Sequence, residues 1–315
     1  MRIAVIGAGA MGAMTGAKLC KSGQDVTLVD VWKDHVDEIN NNGLLLRTKG
    51  DEGERIHIKS VCSTDELEDF FDLVIVFVKG IYTADAISAA KKIIGPDTYV
   101  FTMQNGVGNA DVIADYADPK NIVIGTTTAS AALLNPGEVN DTTEVADGIF
   151  TAHITSYLKE DDPRVYEIAE IFTEAGINTE VSDDAEVAIW EKLAVNCCLN
   201  APCMLARLNC GAVTTDADGI FVQDCIIREL VTVAQVKGIP LSYSKIRKSV
   251  YDVFTSSSHY PSMAQDAYKK AKTEIETITG AVVREGMKYG IPTPVNEVMY
   301  HLVKLVENNY DLLWY

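Results

Sequence analysis

The sequence predicts an α/β fold in which a doubly wound, mainly parallel sheet precedes a second, all-helical domain. Three observations lead to this prediction: a glycine-rich turn follows a β-branched strand at the N-terminus, short strands and helices alternate to about residue 183, and helical periodicity alone continues from Asp184. Alternation of this kind is typical of a parallel sheet covered by helices. The 315 residues exceed the length of about 250–300 at which single cores stop growing, so we expect two domains, 1–183 and 184–315.

The first turn carries the pattern Gly7-x-Gly9-x-x-Gly12, between a strand at Arg2–Ile6 and a helix expected at Ala13–Lys21. In such a unit the first glycine allows a tight turn, the second lets the backbone approach a pyrophosphate, and the third lets the helix pack against the strand. Unpaired N–H groups at the helix N-terminus also favour an anion. The turn therefore predicts a Rossmann-type dinucleotide site. Its expected residues are Gly7, Ala8, Gly9, Ala10, Met11 and Gly12.

The second predicted strand, Asp25–Asp30, ends on an acidic residue. Asp30 lies where the ribose diol of a dinucleotide would bind, and Val31, Trp32 and Lys33 follow it with no arginine. A carboxylate at this position bonds a 2′-hydroxyl and repels a 2′-phosphate. We therefore expect NAD(H) as the cofactor, with NADP(H) as the less favoured alternative.

The same periodicities predict the remaining elements. The strands are expected at Leu73–Val78, Thr98–Thr102 and Ile122–Gly125, and the helices of this domain at Trp32–Asn41, Thr83–Ile94 and Val107–Tyr116. Pro136–Val139 and Gly148–Ile154 predict a turn and an antiparallel hairpin at the sheet edge. The helices expected in the second domain are Asp184–Leu199, Asp216–Lys237, Ser244–Val253, Ser262–Tyr289 and Val295–Glu307.

Composition excludes several classes of protein. The formal charge of −18 would repel nucleic acid and anionic membranes. No apolar run approaches the ~20 residues that span a bilayer, and Met1–Ile6 is too short for a signal peptide. Seven cysteines without disulfide-framework spacing favour a reducing, cytoplasmic location, and Cys197, Cys198 and Cys203 read as small buried hydrophobes rather than metal ligands. The helical domain is expected to bind a small-molecule substrate and to form a homodimer.

Two polar residues follow successive strands of the predicted sheet. Lys79 and Asn105 stand at the carboxyl ends of these strands, where open α/β sheets bind ligands. A lysine there could instead extend to solvent, and Asn-Gly is often only a turn. Because both residues are expected beside the glycine turn, together they favour a ligand-binding site.

A sharper pattern lies in the helical domain. Lys192, Asn196 and Asn200 recur at intervals of four residues among apolar neighbours, which places them on one helical ridge. Buried polar groups must find partners. A ligand is one such partner, and a structural network with loop backbone is the alternative.

Other polar residues have ordinary explanations. Ser262-x-x-Gln265 is a capping box by its pattern, although its serine hydroxyl could turn toward a ligand. Glu274 would by default be a solvated carboxylate on a helix. The five histidines, at positions 35, 57, 153, 259 and 301, are expected to be surface or loop residues.

Taken together, the motifs resemble the ketopantoate (2-dehydropantoate 2-) reductase family over essentially the whole chain. The matching stretches are GAGAMG at 7–12, VK at 78–79, QNGVGN at 104–109, PG at 136–137, KLAVNCCLN at 192–200, SMAQD at 262–266 and TEI at 273–275, followed by Gly280. The resemblance implies reduction of a 2-keto acid to a D-2-hydroxy acid, most specifically 2-dehydropantoate to pantoate in pantothenate biosynthesis. It also implies that Lys192 is the general acid and that Asn105 and Lys79 lie beside the nicotinamide.

The resemblance further implies five substrate-binding residues, one of which is Asn105. Asn196 and Asn200 would bind substrate oxygens, Ser262 the substrate carboxylate, and Glu274 the terminal hydroxyl of ketopantoate. A lysine suits its implied role because the developing alkoxide needs both a proton and a cation. Partial burial would lower its pKa, and the substrate carboxylate would oppose that shift.

The chain also departs from the family pattern. Besides Asp30, residues 138–144 replace a stretch rich in glycine and histidine, and Ala271 replaces an arginine. These differences border the substrate region and leave open an NAD-dependent D-2-hydroxyacid dehydrogenase of the same family, acting on branched or aromatic 2-keto acids. A non-catalytic dinucleotide sensor is a further alternative, which Lys192 argues against because a binding module needs no proton donor.

Overall fold

The computed structural model describes residues 1–48, 51–143 and 149–313, which pack into two compact units. Unit 1 comprises Met1–Gln104 and Asn109–Ala185, and unit 2 comprises Asn105–Gly108 and the chain from Glu186 onward. The four residues 105–108 therefore pack with the helical unit although the chain around them belongs to the sheet unit. Within the described ranges, no helix is long and apolar enough to cross a bilayer.

In the described parts of unit 1, the strands form a large sheet of eight and a small sheet of four. The strands are β1 (Arg2–Ile6), β2 (Asp25–Val29), β3 (Leu44–Thr48), β4 (Glu54–Ile56), β5 (Lys59–Val61), β6 (Leu73–Val76), β7 (Tyr99–Thr102), β8 (Ile122–Thr127), β9 (Ala131–Asn135), β10 (Glu138–Asp141), β11 (Ala152–Ser156) and β12 (Thr179–Val181). The large sheet has the order β12-β11-β8-β7-β6-β1-β2-β5, and its pairs are parallel except β8 with β11. The predicted doubly wound α/β class is confirmed.

Alternate residues of the central strands fill two separate cores, one on each face of the large sheet. Ile3 and Val5 of β1 face one core, and Ala4 and Ile6 face the other. Helices cover both faces: α1 (Ala10–Lys21), α2 (Lys33–Asn42), α3 (Thr83–Ala90), α4 (Asn109–Ala114) and α5 (Pro163–Glu174). Burial on both faces explains why these strands are continuously apolar in sequence.

Unit 2 is helical around one apolar core. Its helices are α6 (Ala185–Ala206), α7 (Cys210–Thr215), α8 (Ala217–Lys237), α9 (Tyr243–Phe254), α10 (Ser262–Tyr268), α11 (Thr279–Tyr289) and α12 (Pro294–Glu307). Cys197, Cys198 and Cys203 lie fully inside this core, as small buried hydrophobes do. Burial raises the pKa of the Cys197 thiol to about 12, so the side chain is neutral.

Two predicted elements are wrong. The single helix expected at Ser262–Tyr289 is two helices, α10 and α11, joined by residues 269–278, which we call the Glu274 segment. The turn at Pro136 does form a hairpin, but between β9 and β10 of the small sheet, whereas β11 pairs with β8 in the large sheet. Gly148, placed at the start of the expected hairpin strand, lies outside the described residues.

Candidate active site

Two glycines of the first turn are required by the packing of unit 1. Gly7 has a φ of +93°, and a Cβ there would lie 2.7 Å from the backbone nitrogen of Val78. A Cβ on Gly12 would lie 1.9 Å from the Gly7 carbonyl oxygen. Any larger side chain would therefore force the strand, turn and helix apart.

Gly9 differs from its two neighbours. Its φ of −63° is accessible to any residue, and a Cβ built on it meets no described atom within 4 Å. The fold of unit 1 therefore does not explain this glycine. Gly9 also precedes the N-terminus of α1, where, among the described residues, no side chain provides a cap. Open space before free helical N–H groups is what a pyrophosphate requires, so the turn fits a dinucleotide.

Asp30 follows β2 at the same edge of the large sheet. One of its carboxylate oxygens accepts a hydrogen bond from the Trp32 backbone N–H, at 2.9 Å. The nearby cation, Lys33, forms a 2.6 Å ion pair with Asp37 on the exposed face of α2. The positive charge closest in sequence to Asp30 is thus paired with another carboxylate.

His35 is a buried residue, which corrects its assignment to a surface or loop position. Its side chain is 1% exposed, and its Nδ1 accepts the Gly137 backbone N–H at 2.9 Å. The imidazole stacks on the Trp32 indole, with 5.5 Å between ring centroids. Desolvation lowers the pKa of His35, although Asp30 and the Ala8 carbonyl raise it. His35 is therefore neutral and links the small sheet to the turn beside Asp30.

The sequence carried one signal for the burial of this histidine. His35 lies on the buried face of α2 together with Val36 and Ile39.

Lys79 lies beside the glycine turn because their strands are neighbours. β1 pairs with β2 on one side and with β6 on the other, so the strand order reverses at β1. The glycine turn follows β1, and Lys79, half-buried, follows β6. Gln104, to which the sequence assigned no role, holds this loop, since its Nε2 donates to the Val78 carbonyl at 2.6 Å. Ligands of open α/β sheets bind at such a reversal.

Unit 2 brings together three polar residues from distant parts of the sequence. Lys192 lies half-buried on α6, close enough to Glu274 for the carboxylate to act on its charge. Asn105 Nδ2 donates to Glu274 Oε2 at 3.1 Å across 169 residues of sequence. Desolvation lowers the pKa of Lys192 to about 8, although Glu274 raises it. An amine with this pKa can both carry and release a proton near neutral pH.

The position of Asn105 depends on the next two residues. A Cβ on Gly106, whose φ is +86°, would lie 1.9 Å from the Thr277 carbonyl oxygen. The Val107 backbone N–H donates to that same oxygen at 3.0 Å. Asn-Gly is therefore more than a turn here, because it docks residues 105–108 against the Glu274 segment.

The rest of the α6 ridge divides between two environments. Asn196 is half-buried one turn after Lys192. Asn200 is 3% exposed, and its Oδ1 accepts the Met263 backbone N–H at 3.3 Å. This is the kind of structural bond to the backbone that was the alternative to ligand binding for this ridge. Ser262 is exposed at the first position of α10 and, in the described structure, does not cap it, so the predicted capping box is wrong. Gln265 instead donates to the Tyr260 carbonyl at 2.8 Å.

The chain matches two family models. The model described as "Ketopantoate reductase PanE/ApbA" matches residues 3–149, and its partner, "Ketopantoate reductase PanE/ApbA C terminal", matches residues 184–307. The chain belongs to the ketopantoate reductase family. The predicted resemblance is thereby confirmed.

The chain is similar to named relatives and to a solved structure over nearly its full length. The chain is 32% identical to the 2-dehydropantoate 2-reductase of Streptococcus pyogenes serotype M3 over 309 residues, 98% of both chains. It is 32% identical to that of Lactococcus lactis over 320 residues, 99% of both chains. A D-mandelate dehydrogenase, solved with NADH and anilino(oxo)acetate, superposes with a TM-score of 0.91 at 30% identity, covering 99% of this chain and 100% of that one.

Proposed function

We propose that this ketopantoate reductase family member reduces 2-dehydropantoate to pantoate, a step of pantothenate biosynthesis, with a nicotinamide cofactor. The observation that carries the proposal is the group formed by Lys192, Glu274 and Asn105 in unit 2. An amine of lowered pKa beside a fixed carboxylate supplies a proton donor and a hydroxyl acceptor, which are the two groups that a hydroxylated 2-keto acid needs.

A bound nicotinamide cofactor supplies the hydride that reduces the ketone carbon. The Lys192 ammonium donates a proton to the ketone oxygen, so that the C=O bond becomes C–O–H. Its positive charge also stabilises the negative charge that develops on this oxygen. Lys192 leaves the step as a neutral amine, a state within reach because its pKa is lowered to about 8.

The remaining polar residues bind and orient the substrate. We assign the substrate carboxylate to the exposed Ser262 hydroxyl, and further substrate oxygens to Asn196 and Asn200. Glu274 accepts the terminal hydroxyl of ketopantoate. Asn105, beside the nicotinamide, holds the Glu274 carboxylate in place through its 3.1 Å hydrogen bond.

The cofactor site is assigned to residues 7–12, Asp30 and Lys79, with NADH preferred over NADPH. Asp30 and the pairing of Lys33 with Asp37 support this preference. A carboxylate about 4 Å from a 2′-phosphate repels it enough for a preference of about a hundredfold or more. Comparison of kcat/KM for NADH and NADPH tests it, with Asp30→Ala expected to narrow the ratio. A higher kcat/KM with NADPH, or an unchanged ratio in the variant, would refute the assignment.

We also propose a homodimer that forms through the exposed face of α12. Val298, Leu302 and Leu305 lie at helical spacing on this face and are 54%, 41% and 60% exposed. A stripe of this kind is suited to association. Light scattering should give twice the 34.3 kDa chain mass, and Leu302→Glu should lower it; a monomeric wild-type protein would refute the proposal.

The second candidate function is that of an NAD-dependent D-2-hydroxyacid dehydrogenase acting on branched or aromatic 2-keto acids. Asp30 and the 0.91 TM-score to the D-mandelate dehydrogenase favour it. Assays with NADH against ketopantoate, 2-ketoisovalerate, 2-ketoisocaproate and phenylglyoxylate separate the two. The highest kcat/KM on ketopantoate supports the reductase; a higher value on any of the others supports the dehydrogenase.

A further inference from the structure

The Glu274 segment is held in its non-helical shape by the C-terminal part of unit 2. The Thr273 backbone N–H donates to Glu307 Oε1 at 2.6 Å, and the Tyr310 hydroxyl donates to the Ala271 carbonyl at 2.9 Å. These two hydrogen bonds use backbone groups that a continuous helix from α10 to α11 would need for itself. The segment carrying Glu274 therefore takes its conformation from residues more than thirty positions downstream.

Glu307 is the more constrained of these two residues. Its side chain is 6% exposed, and its second oxygen lies 3.6 Å from Lys304 Nζ. Lys304 also pairs at 3.0 Å with Glu276, on the other side of Glu274 in sequence. A buried carboxylate that accepts a backbone N–H makes a strong, short hydrogen bond and fixes that backbone group closely.

We propose that Glu307 is a positioning residue that sets the selectivity of this enzyme for a hydroxylated 2-keto acid. By binding the Thr273 backbone, Glu307 fixes the adjacent Glu274 carboxylate where Asn105 donates to it and Lys192 interacts with its charge. The inference rests on the proposed role of Glu274 as the acceptor of the substrate hydroxyl. Glu307 itself does not touch the substrate.

The test measures kcat and KM for ketopantoate and for 2-ketoisovalerate, which lacks the hydroxyl. Glu307→Ala should raise KM for ketopantoate about tenfold or more, because a misplaced carboxylate no longer pairs with the hydroxyl. KM for 2-ketoisovalerate should stay within about twofold, since that substrate makes no such bond. Glu307→Gln should stay near the wild type, since its amide oxygen still accepts the Thr273 N–H.

A pH profile adds a readout that a merely structural role would not move. Because Glu274 raises the pKa of Lys192, its displacement in Glu307→Ala should move the alkaline limit of kcat/KM to lower pH. Asp311→Ala is the matched control, because it breaks an exposed 2.9 Å ion pair with Lys270 at the same segment. Exposed ion pairs contribute little to protein stability, so Asp311→Ala should match the wild type in both assays.

Three outcomes would overturn the inference: equal KM increases on both substrates, an unchanged KM for ketopantoate, or a control that behaves like Glu307→Ala. If Glu307→Ala does not fold, Glu307→Asp keeps the charge but withdraws the carboxylate from the Thr273 N–H, and it should still raise KM for ketopantoate and leave KM for 2-ketoisovalerate within about twofold. An unchanged KM for ketopantoate in that variant also overturns the inference. A wild-type enzyme that does not prefer ketopantoate over 2-ketoisovalerate would refute the proposed function instead. If Glu307→Ala keeps the wild-type preference for ketopantoate, only the role of Glu307 is refuted.

Discussion

The two units build their sites in opposite ways. In unit 1, the candidate pyrophosphate site is a run of backbone groups from six consecutive residues, 7–12. In unit 2, the candidate substrate site consists of side chains from four separate segments, and the hydrogen bond between Asn105 and Glu274 spans 169 residues.

The two sites therefore tolerate different substitutions. A site made of backbone groups requires only that no side chain fills the space for the ligand, as the open space beside Gly9 illustrates. A side-chain site depends on charges that burial and neighbours adjust, as the lowered pKa of Lys192 illustrates.

Lys192→Ala should lower kcat/KM about 10²–10⁴-fold, the usual contribution of a general acid, and further through loss of the cation. The Kd of NADH should stay near the wild-type value, because the groups assigned to the cofactor, apart from Asn105, lie in unit 1. Steady-state kinetics and NADH fluorescence titration measure the two effects. Lys245→Ala, which removes an exposed cation paired with Glu191, is the control. A parallel loss of NADH affinity would make Lys192 structural.

Glu274→Ala should lower kcat/KM for ketopantoate about ten- to a hundredfold, because a charge-assisted hydrogen bond contributes roughly 1.5–3 kcal/mol. Reduction of 2-ketoisovalerate should be unchanged or faster, since that substrate has no hydroxyl for the carboxylate to bind. Kinetics on both substrates check this. Equal losses would show that Glu274 holds Lys192 or the segment in place and does not select the substrate.

Gly9→Ala should raise the Kd of NADH about tenfold or more, because its Cβ would occupy the space that the pyrophosphate needs. Its melting temperature should match the wild type, since no described atom lies within 4 Å of that Cβ. Gly12→Ala is the contrasting variant, in which a 1.9 Å contact with the Gly7 oxygen should destabilise unit 1 itself. If Gly9→Ala bound NADH normally, the turn would not be the pyrophosphate site.

The pH dependence should be the mildest effect. Lys192 must be protonated to act as an acid, and its pKa is about 8. Activity in the reductive direction should therefore be full below this pKa and fall through it, to about a tenth at pH 9. NADH affinity should not follow the same curve, because the backbone N–H groups of the turn do not titrate. A reductive kcat/KM that rises from pH 7 to 9 would contradict the assignment.

The sequence predicted unit 1 well because its signals are local. The strand at Arg2–Ile6 was placed with its observed bounds, since β-branched residues and the following glycine mark both ends. Asp30 and Lys79 could likewise be placed at strand ends from chain order alone. The burial of His35 had a local signal on α2, but its hydrogen bond with Gly137 could not be predicted because it joins residues 102 positions apart.

The class of fold, the glycine turn and the polar ridge on α6 could be predicted from the sequence alone, because each depends on the spacing of residues within a few turns of chain. Only the tertiary structure decided that residues 105–108 pack in unit 2 and that the helix expected at 262–289 is interrupted. Residues 269–278 contain no glycine or proline that would mark a break. These residues are not helical because the Thr273 N–H bonds to Glu307 and the Ala271 carbonyl bonds to Tyr310. Backbone groups with such tertiary partners are not available to a helix, and the partners come together only when distant parts of the chain pack.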